Sequence, residues 1–90
     1  MKAKTYEIRK QLAHCPVGDK EVVLFEIAVT PQYMEEPDEL ETEYVTWIRN
    51  KKGATWGGNY FRTLKAATKD FANRILEEMD RQKEDAGHQR

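Results

Sequence analysis

The sequence has one cysteine, two histidines and three prolines among its 90 residues, and it contains no long hydrophobic run. The single thiol, Cys15, has no partner for an internal disulfide, which fits a reducing compartment. No apolar stretch approaches the roughly 20 residues that a transmembrane helix needs, and the N-terminus lacks the apolar segment of a signal peptide. We therefore expect a cytoplasmic protein that has no membrane partner.

The patterns of catalytic and cofactor sites are also missing. His14 and Cys15 are sequence neighbours, a spacing that rarely gives a thiol and an imidazole usable geometry. Two histidines and one cysteine are too few for a zinc site, and the acidic residues lack the spacing of a calcium loop. Gly57-Gly58 does not belong to a phosphate-binding motif. We therefore predict a protein that is not an enzyme and has no cofactor, metal or small-molecule substrate.

What the sequence does contain is typical of one folded domain. Hydrophobic residues make up 39% of the chain and charged residues 34%, a balance that favours folding over disorder. Ninety residues leave room for a single core. We predict one domain over residues 1–84, followed by a frayed tail over 85–90.

Charge is distributed unevenly, although the net charge is only -1. Residues 1–45 carry five Lys/Arg and ten Asp/Glu, whereas residues 46–90 carry ten and six. Between Arg49 and Arg74, seven Lys or Arg residues are opposed only by Asp70. Such a segment favours a positive surface potential on an otherwise nearly neutral protein.

The alternation of polar and apolar residues predicts three β-strands, over residues 5–12, 21–30 and 42–50. The second is apolar on both sides, which is typical of a strand that is covered on both faces. A short fourth strand over residues 54–56 is expected to end at Gly57-Gly58.

The predicted connections differ in length. Pro16 and Gly18 favour a hairpin loop over residues 14–19. Residues 31–41 contain two prolines and many acidic residues, so we predict a long loop there. Asn50 and Gly53 have the residue types of the first and last positions of a four-residue turn.

The last third of the chain has the pattern of an amphipathic helix. Thr63 is a good N-cap, and the helix is predicted from Leu64 to about Lys83, ending before Gly87. Two pairs four residues apart, Asp70 with Arg74 and Glu77 with Arg81, are expected to form exposed ion pairs. The apolar stripe that we expect to pack on the sheet consists of Leu64, Ala67, Phe71, Ile75 and Met79, widened by Ala72 and Leu76.

These elements predict an α+β fold, a small antiparallel sheet of three to four strands with one long C-terminal helix on one face (β-β-β-(β)-α). The strand order and the face under the helix stay open. If Val23 and Phe25 face the helix, Val22 and Leu24 face away from it. Because small proteins seldom expose a large apolar patch, the uncovered face predicts a protein partner or a homodimer.

An alternative function comes from the basic segment, where aromatic residues alternate with cations. Aromatic rings can stack on bases while cations contact phosphates, so a nucleic acid is the alternative partner. The same aromatic residues are equally suited to the core. The candidate residues for binding a protein or a nucleic acid are Trp47, Arg49, Lys51, Lys52, Trp56, Tyr60, Arg62, Lys65 and Lys69.

The run from Gly58 to Thr63, together with Ala67, is similar to the strand-to-helix turn of the small DNA-reading domains at the N-termini of phage-type integrases. Those domains also have a three-stranded sheet followed by one helix. The resemblance covers about ten residues. It implies the same order of elements and assigns no functional residue.

The acidic residues suggest a second interaction surface. A charged lobe beside an unpaired apolar sheet face looks like the inhibitors and accessory proteins of phages and mobile elements, including anti-CRISPR proteins. The resemblance is one of general character. We expect a non-enzymatic interaction protein, possessing an acidic lobe of Glu35, Glu36, Asp38, Glu39 and Glu41.

Overall fold

The computed structural model describes residues 6–29 and 41–88, with side chains as far as residue 82. It has four antiparallel strands in the order β1-β2-β3-β4, followed by one helix packed on the sheet. The predicted α+β fold is confirmed. The elements are β1 (Tyr6–Val17), β2 (Lys20–Val29), β3 (Glu41–Asn50), β4 (Thr55–Phe61) and α1 (Leu64–His88).

Two strands are longer than the sequence pattern predicts. β1 continues through Pro16, and the expected loop over residues 14–19 shrinks to a tight turn at Gly18, whose φ is 64°. Pro16 is tolerated because β1 is an edge strand of the described sheet. β4 does not end at Gly57-Gly58 but continues to Phe61, with a register shift at the two glycines. A bulge there absorbs the extra residue without ending the strand.

The predicted turn between β3 and β4 is confirmed. The Gly53 amide donates to the Asn50 carbonyl over 3.0 Å. The Asn50 side-chain oxygen also accepts hydrogen bonds from the amides of Lys52 (2.9 Å) and Ala54 (3.0 Å). This side chain replaces the missing backbone partners and fixes the turn.

The predicted start of α1 is confirmed, and its predicted end is wrong. The Thr63 hydroxyl accepts a hydrogen bond from the Ala66 amide over 3.2 Å, as an N-cap should. The helix continues past Gly87 to His88. A glycine in a helix costs about 1 kcal/mol, which is too little to set its end. Fraying over 85–90 and a single domain over 1–84 stay predictions.

The register between β2 and β3 determines which residues share a face of the sheet. Val22 pairs with Ile48 and Leu24 pairs with Thr46, so these four side chains lie on one face. The Thr46 hydroxyl donates to Asp70 of α1 over 2.6 Å. The helix therefore covers this face, which decides the question that the sequence left open.

The opposite face holds a hydrophobic cluster around Trp47. Its indole lies 5.5 Å from the Phe25 ring, 6.2 Å from Tyr6 and 6.4 Å from Tyr60, measured between centroids. Because Tyr6 belongs to β1, two strands away from β3, this contact indicates that the sheet curls toward this face. Two register shifts in β1 are consistent with the curvature, since bulges increase strand twist. The aliphatic residues that the two central strands place on this face are buried: Val23, Ile27, Val29 and Val45.

This burial limits the expected exposure of the uncovered sheet face to its outer strands. The exposed apolar side chains that remain there are Tyr6, Ile8 and Tyr60, on the two outer strands. The curled sheet encloses the aliphatic residues of its two central strands and leaves Ile8 of β1 exposed.

Candidate interaction surface

The side of α1 that lies on the sheet is largely polar. Asp70 accepts hydrogen bonds from Thr46 (2.6 Å) and from the Asn59 amide group (3.2 Å). Arg74 donates to the carbonyl of Gly57. Farther along, Glu78 is buried. Polar partners on β3 and β4 therefore fix this side of the helix against the sheet.

The ion pairs of α1 differ from those predicted. Asp70 and Arg74 do interact, over 3.3 Å, but they lie between helix and sheet and are not fully exposed. Arg81 does not pair with Glu77. Its partner is Glu78, at 3.0 Å. The i,i+3 partner is preferred because Glu78 faces the sheet and is shielded from solvent, whereas Glu77 is exposed.

The predicted packing of the apolar stripe is therefore wrong in part. Ala67 is fully buried, and Phe71 and Ile75 are partly buried. Leu76 and Met79 instead remain 59% and 53% exposed, and Leu64 is exposed as well. The polar contacts of Asp70 and Arg74 rotate the helix so that these larger apolar side chains turn outward.

The outward residues form a continuous band along the middle of α1. With 3.6 residues per turn, the band is centred roughly 120° around the helix axis from Ala67 and Glu78. Three charged, exposed residues lie toward one edge of it, Lys65 and Lys69 on the N-terminal side and Asp80 on the C-terminal side. Leu64 lies one turn before the part of this band, between residues 68 and 79, that we call the outer stripe: Thr68, Ala72, Ile75, Leu76 and Met79.

The predicted basic-aromatic residues do not form one surface. Trp47 is only 6% exposed and belongs to the cluster on the uncovered face of the sheet. Trp56, 44% exposed, pairs with Ile48 and so lies on the helix-covered face. Tyr60 pairs with Val45 and lies on the opposite side from Trp56. The two exposed aromatic rings are therefore separated by the sheet.

The predicted cations are also dispersed. Arg49 donates to Glu21 over 2.6 Å and to Gln11 over 3.1 Å. Its hydrogen bond holds the pKa of the Glu21 carboxyl below the ordinary 4.5, despite an opposing effect of desolvation. The remaining cations are exposed, at the β3-β4 turn (Lys51, Lys52), after β4 (Arg62) and on the first turns of α1 (Lys65, Lys69).

Only one residue of the predicted acidic lobe belongs to the described part of the chain. Glu35, Glu36, Asp38 and Glu39 lie outside the described residues. Glu41, the first residue of β3, is exposed. The lobe therefore stays a prediction.

His14 and Cys15 point to opposite faces of β1, since they pair with consecutive residues Val23 and Val22. The imidazole contacts Glu21 over 3.3 Å. Within residues 6–29 and 41–82, we find no group of three His, Cys, Asp or Glu side chains that could hold a metal ion. In the same part of the chain, no helix is both long and apolar enough to cross a membrane.

Comparison of the chain with protein-family models, with curated proteins and with solved structures finds no match. The evidence about function is therefore the arrangement of the side chains.

The sequence contained a signal for the outer stripe. Viewed down the helix axis, the apolar residues of α1 span roughly 180° of the circumference, from Ala67 to Leu76, which is wider than one contact with a sheet requires. Part of such a wide arc has to remain exposed or meet a second partner. The spacing alone does not reveal which part, because that depends on the polar contacts at Asp70 and Arg74.

Proposed function

We propose that this protein is a non-enzymatic interaction protein, and that the outer stripe of α1 binds another protein chain. The observation that carries the proposal is the exposure of Leu76 and Met79, at 59% and 53%, on a helix whose polar side packs on the sheet. Clustered apolar side chains on a small protein favour an interaction site, because water is released from their surfaces on binding.

The composition of the outer stripe favours a protein partner over a nucleic acid. Its centre is apolar, and the charges along its edge have both signs, since Lys69 is followed by Asp80. A nucleic-acid site requires several cations that contact successive phosphates. An apolar band with mixed charges is better suited to a second helix.

A nucleic acid is the second candidate partner, favoured by one contact. The Lys20 ammonium lies 5.9 Å from the centroid of the exposed Trp56 ring, which places a cation beside a ring that can stack on a base. Fluorescently labelled DNA and RNA would test it at low salt. If binding is found, falls steeply with added salt and weakens in Lys51→Glu/Lys52→Glu, this candidate is supported.

The proposal is tested by placing a photo-crosslinking amino acid at position 76 in the full-length chain in its source cell. We expect a crosslinked band that contains this protein and a second protein chain. The same amino acid at Lys52, which is exposed in the β3-β4 turn, is the matched control and should give no such band. Crosslinking at neither position, or equally at both, would contradict the proposal.

A role as an inhibitor or accessory protein of a phage or mobile element, and a cytoplasmic location, are further proposals. They rest on small size, mixed charge and the proposed binding surface. Two observations would test them: whether the coding region of this chain lies among phage or mobile-element genes, and where a tagged copy of the chain is found in its source cell.

A further inference from the structure

We infer that the partner of the outer stripe is a second copy of this chain, with the two α1 helices packed antiparallel about a twofold axis between residues 74 and 75. This inference rests on the proposed function of the outer stripe. It adds the identity of the partner, the direction of the helices and their register.

The first support is the distribution of side-chain size along the outer stripe. Its N-terminal half is small, with Thr68 and Ala72, and its C-terminal half is large, with Ile75, Leu76 and Met79. In an antiparallel pair, the large half of each helix lies against the small half of the other. A parallel pair would instead place the two large halves against each other and leave a gap between the two small halves.

An axis between residues 74 and 75 makes the two stripes interleave. At this register, the position of Met79 along the helix axis falls between those of Thr68 and Ala72 of the other copy. Leu76 lies next to Ala72 of the other copy. Side chains of one helix then occupy the spaces between those of its partner, which is how helices pack in antiparallel bundles.

The second support is the distribution of charge along the same edge. Lys69 and Asp80 are both exposed, lie on the same edge of the outer stripe and are equally distant from the proposed axis. A twofold axis perpendicular to the helices therefore places Lys69 of each copy opposite Asp80 of the other. Size and charge independently select the antiparallel arrangement, with charge fixing the register.

The limited size of the stripe sets the strength of the interaction. Five side chains from each copy, along a helix of 25 residues, form an interface at the small end of the range, below about 1,200 Å² in total. We therefore expect a reversible dimer that forms at micromolar or higher concentration. The charge pairs at its edge are exposed, so high salt weakens their contribution.

The test is a charge exchange, measured by sedimentation equilibrium of the full-length chain at low salt. Lys69→Glu and Asp80→Lys each replace two attractive contacts with two repulsive ones. Each variant alone should therefore weaken the dimer about tenfold. An equimolar mixture of the two variants should form a mixed dimer, and the double variant Lys69→Glu/Asp80→Lys should dimerise about as well as the natural chain.

Lys52→Glu changes the same charge at an exposed position away from α1 and is the control, with no expected effect. Circular dichroism of each variant establishes that it is folded. A natural chain that stays at 10.6 kDa at millimolar concentration would overturn the inference. Failure of the mixture or of the double variant to restore the dimer would also overturn it.

The crosslinking experiment separates this inference from the proposed function. If position 76 crosslinks to a different protein and the natural chain is monomeric, the inference of a second copy is wrong and the proposed function stands. If position 76 crosslinks to nothing, both are wrong. Crosslinking of the purified protein to itself at position 76 is the expected result.

Discussion

The Thr46 hydroxyl donates a 2.6 Å hydrogen bond to Asp70, and this contact joins the centre of the sheet to the helix. Asp70 also accepts a hydrogen bond from Asn59 over 3.2 Å and forms an ion pair with Arg74 over 3.3 Å. One carboxylate thus has partners on β3, on β4 and on its own helix. These contacts determine which side of α1 lies on the sheet and, in consequence, which side is left for a partner.

We expect Asp70→Ala to lower the free energy of unfolding by about 2 to 3 kcal/mol, because the buried hydroxyl of Thr46 loses a charged acceptor. Urea unfolding in dilute solution is the measurement. Asp80→Ala removes the same side chain from the exposed side of α1 and should change stability by less than about 0.5 kcal/mol. Equal effects of the two substitutions would show that Asp70 does not hold the helix on the sheet through Thr46.

The orientation of α1 predicts different results for one substitution at two alanines. Ala67 is fully buried against the sheet, so Ala67→Leu should overpack the contact and cost about 1 to 3 kcal/mol. Ala72 is exposed on the same helix, and Ala72→Leu should be nearly neutral in dilute solution. Thermal unfolding compares the two. A helix packed through Leu76 and Met79 would not give this difference.

Part of this fold follows from sequence patterns alone. Alternation located the strands, and Thr63 and Asn50 marked the start of the helix and the turn before β4, because both use short-range hydrogen bonds. The strand ends at Pro16 and Gly57-Gly58 did not follow. At those places, the edge position of β1 and a bulge in β4 override the local preference of the residue.

Gly58 lies directly against the indole of Trp47, which makes a second packing prediction. A Cβ atom at Gly58 would lie 2.6 Å from Trp47 Nε1 and 3.1 Å from its Cδ1, both closer than side chains normally approach. We expect Gly58→Ala to cost about 1 to 3 kcal/mol and to change the tryptophan fluorescence. Thr55→Ala, at an exposed position of the same strand, is the control and should leave both nearly unchanged.

The contact between Glu21 and Arg49 predicts a dependence of stability on pH. Arg49 lowers the pKa of Glu21 below 4.5, so the folded state favours the charged carboxylate. The resulting stability is fully present above pH 4.5 and is lost as the pH falls through the lowered pKa. Unfolding at pH 7 and at about pH 3 should show a smaller difference in Glu21→Gln than in the natural chain.

NMR titration of the Glu21 carboxyl is the direct control for this prediction. A midpoint at or above the ordinary 4.5 would show that Arg49 does not lower the pKa of this group.

The candidate site was less predictable than the fold. The basic segment of the sequence identifies Lys69, but the spacing predicts that Leu76 and Met79 pack on the sheet. Sequence spacing places these apolar residues on one broad side of α1 but does not reveal which of them contact the sheet. The choice depends on Asp70 and Arg74, whose partners Thr46 and Gly57 are distant in sequence and adjacent only after folding. Likewise, Trp47 and Trp56 look like one motif, but they lie on opposite faces of the sheet.

The central claim is that the outer stripe of α1 is an interface between two copies of this chain. Sedimentation equilibrium of the natural chain and of Leu76→Lys, across micromolar to millimolar concentrations, tests it most directly. We predict that the mass of the natural chain rises from 10.6 kDa toward twice that value, whereas Leu76→Lys stays at the mass of one chain while remaining folded. A natural chain that stays at 10.6 kDa throughout, or a Leu76→Lys chain that associates equally well, would contradict the claim.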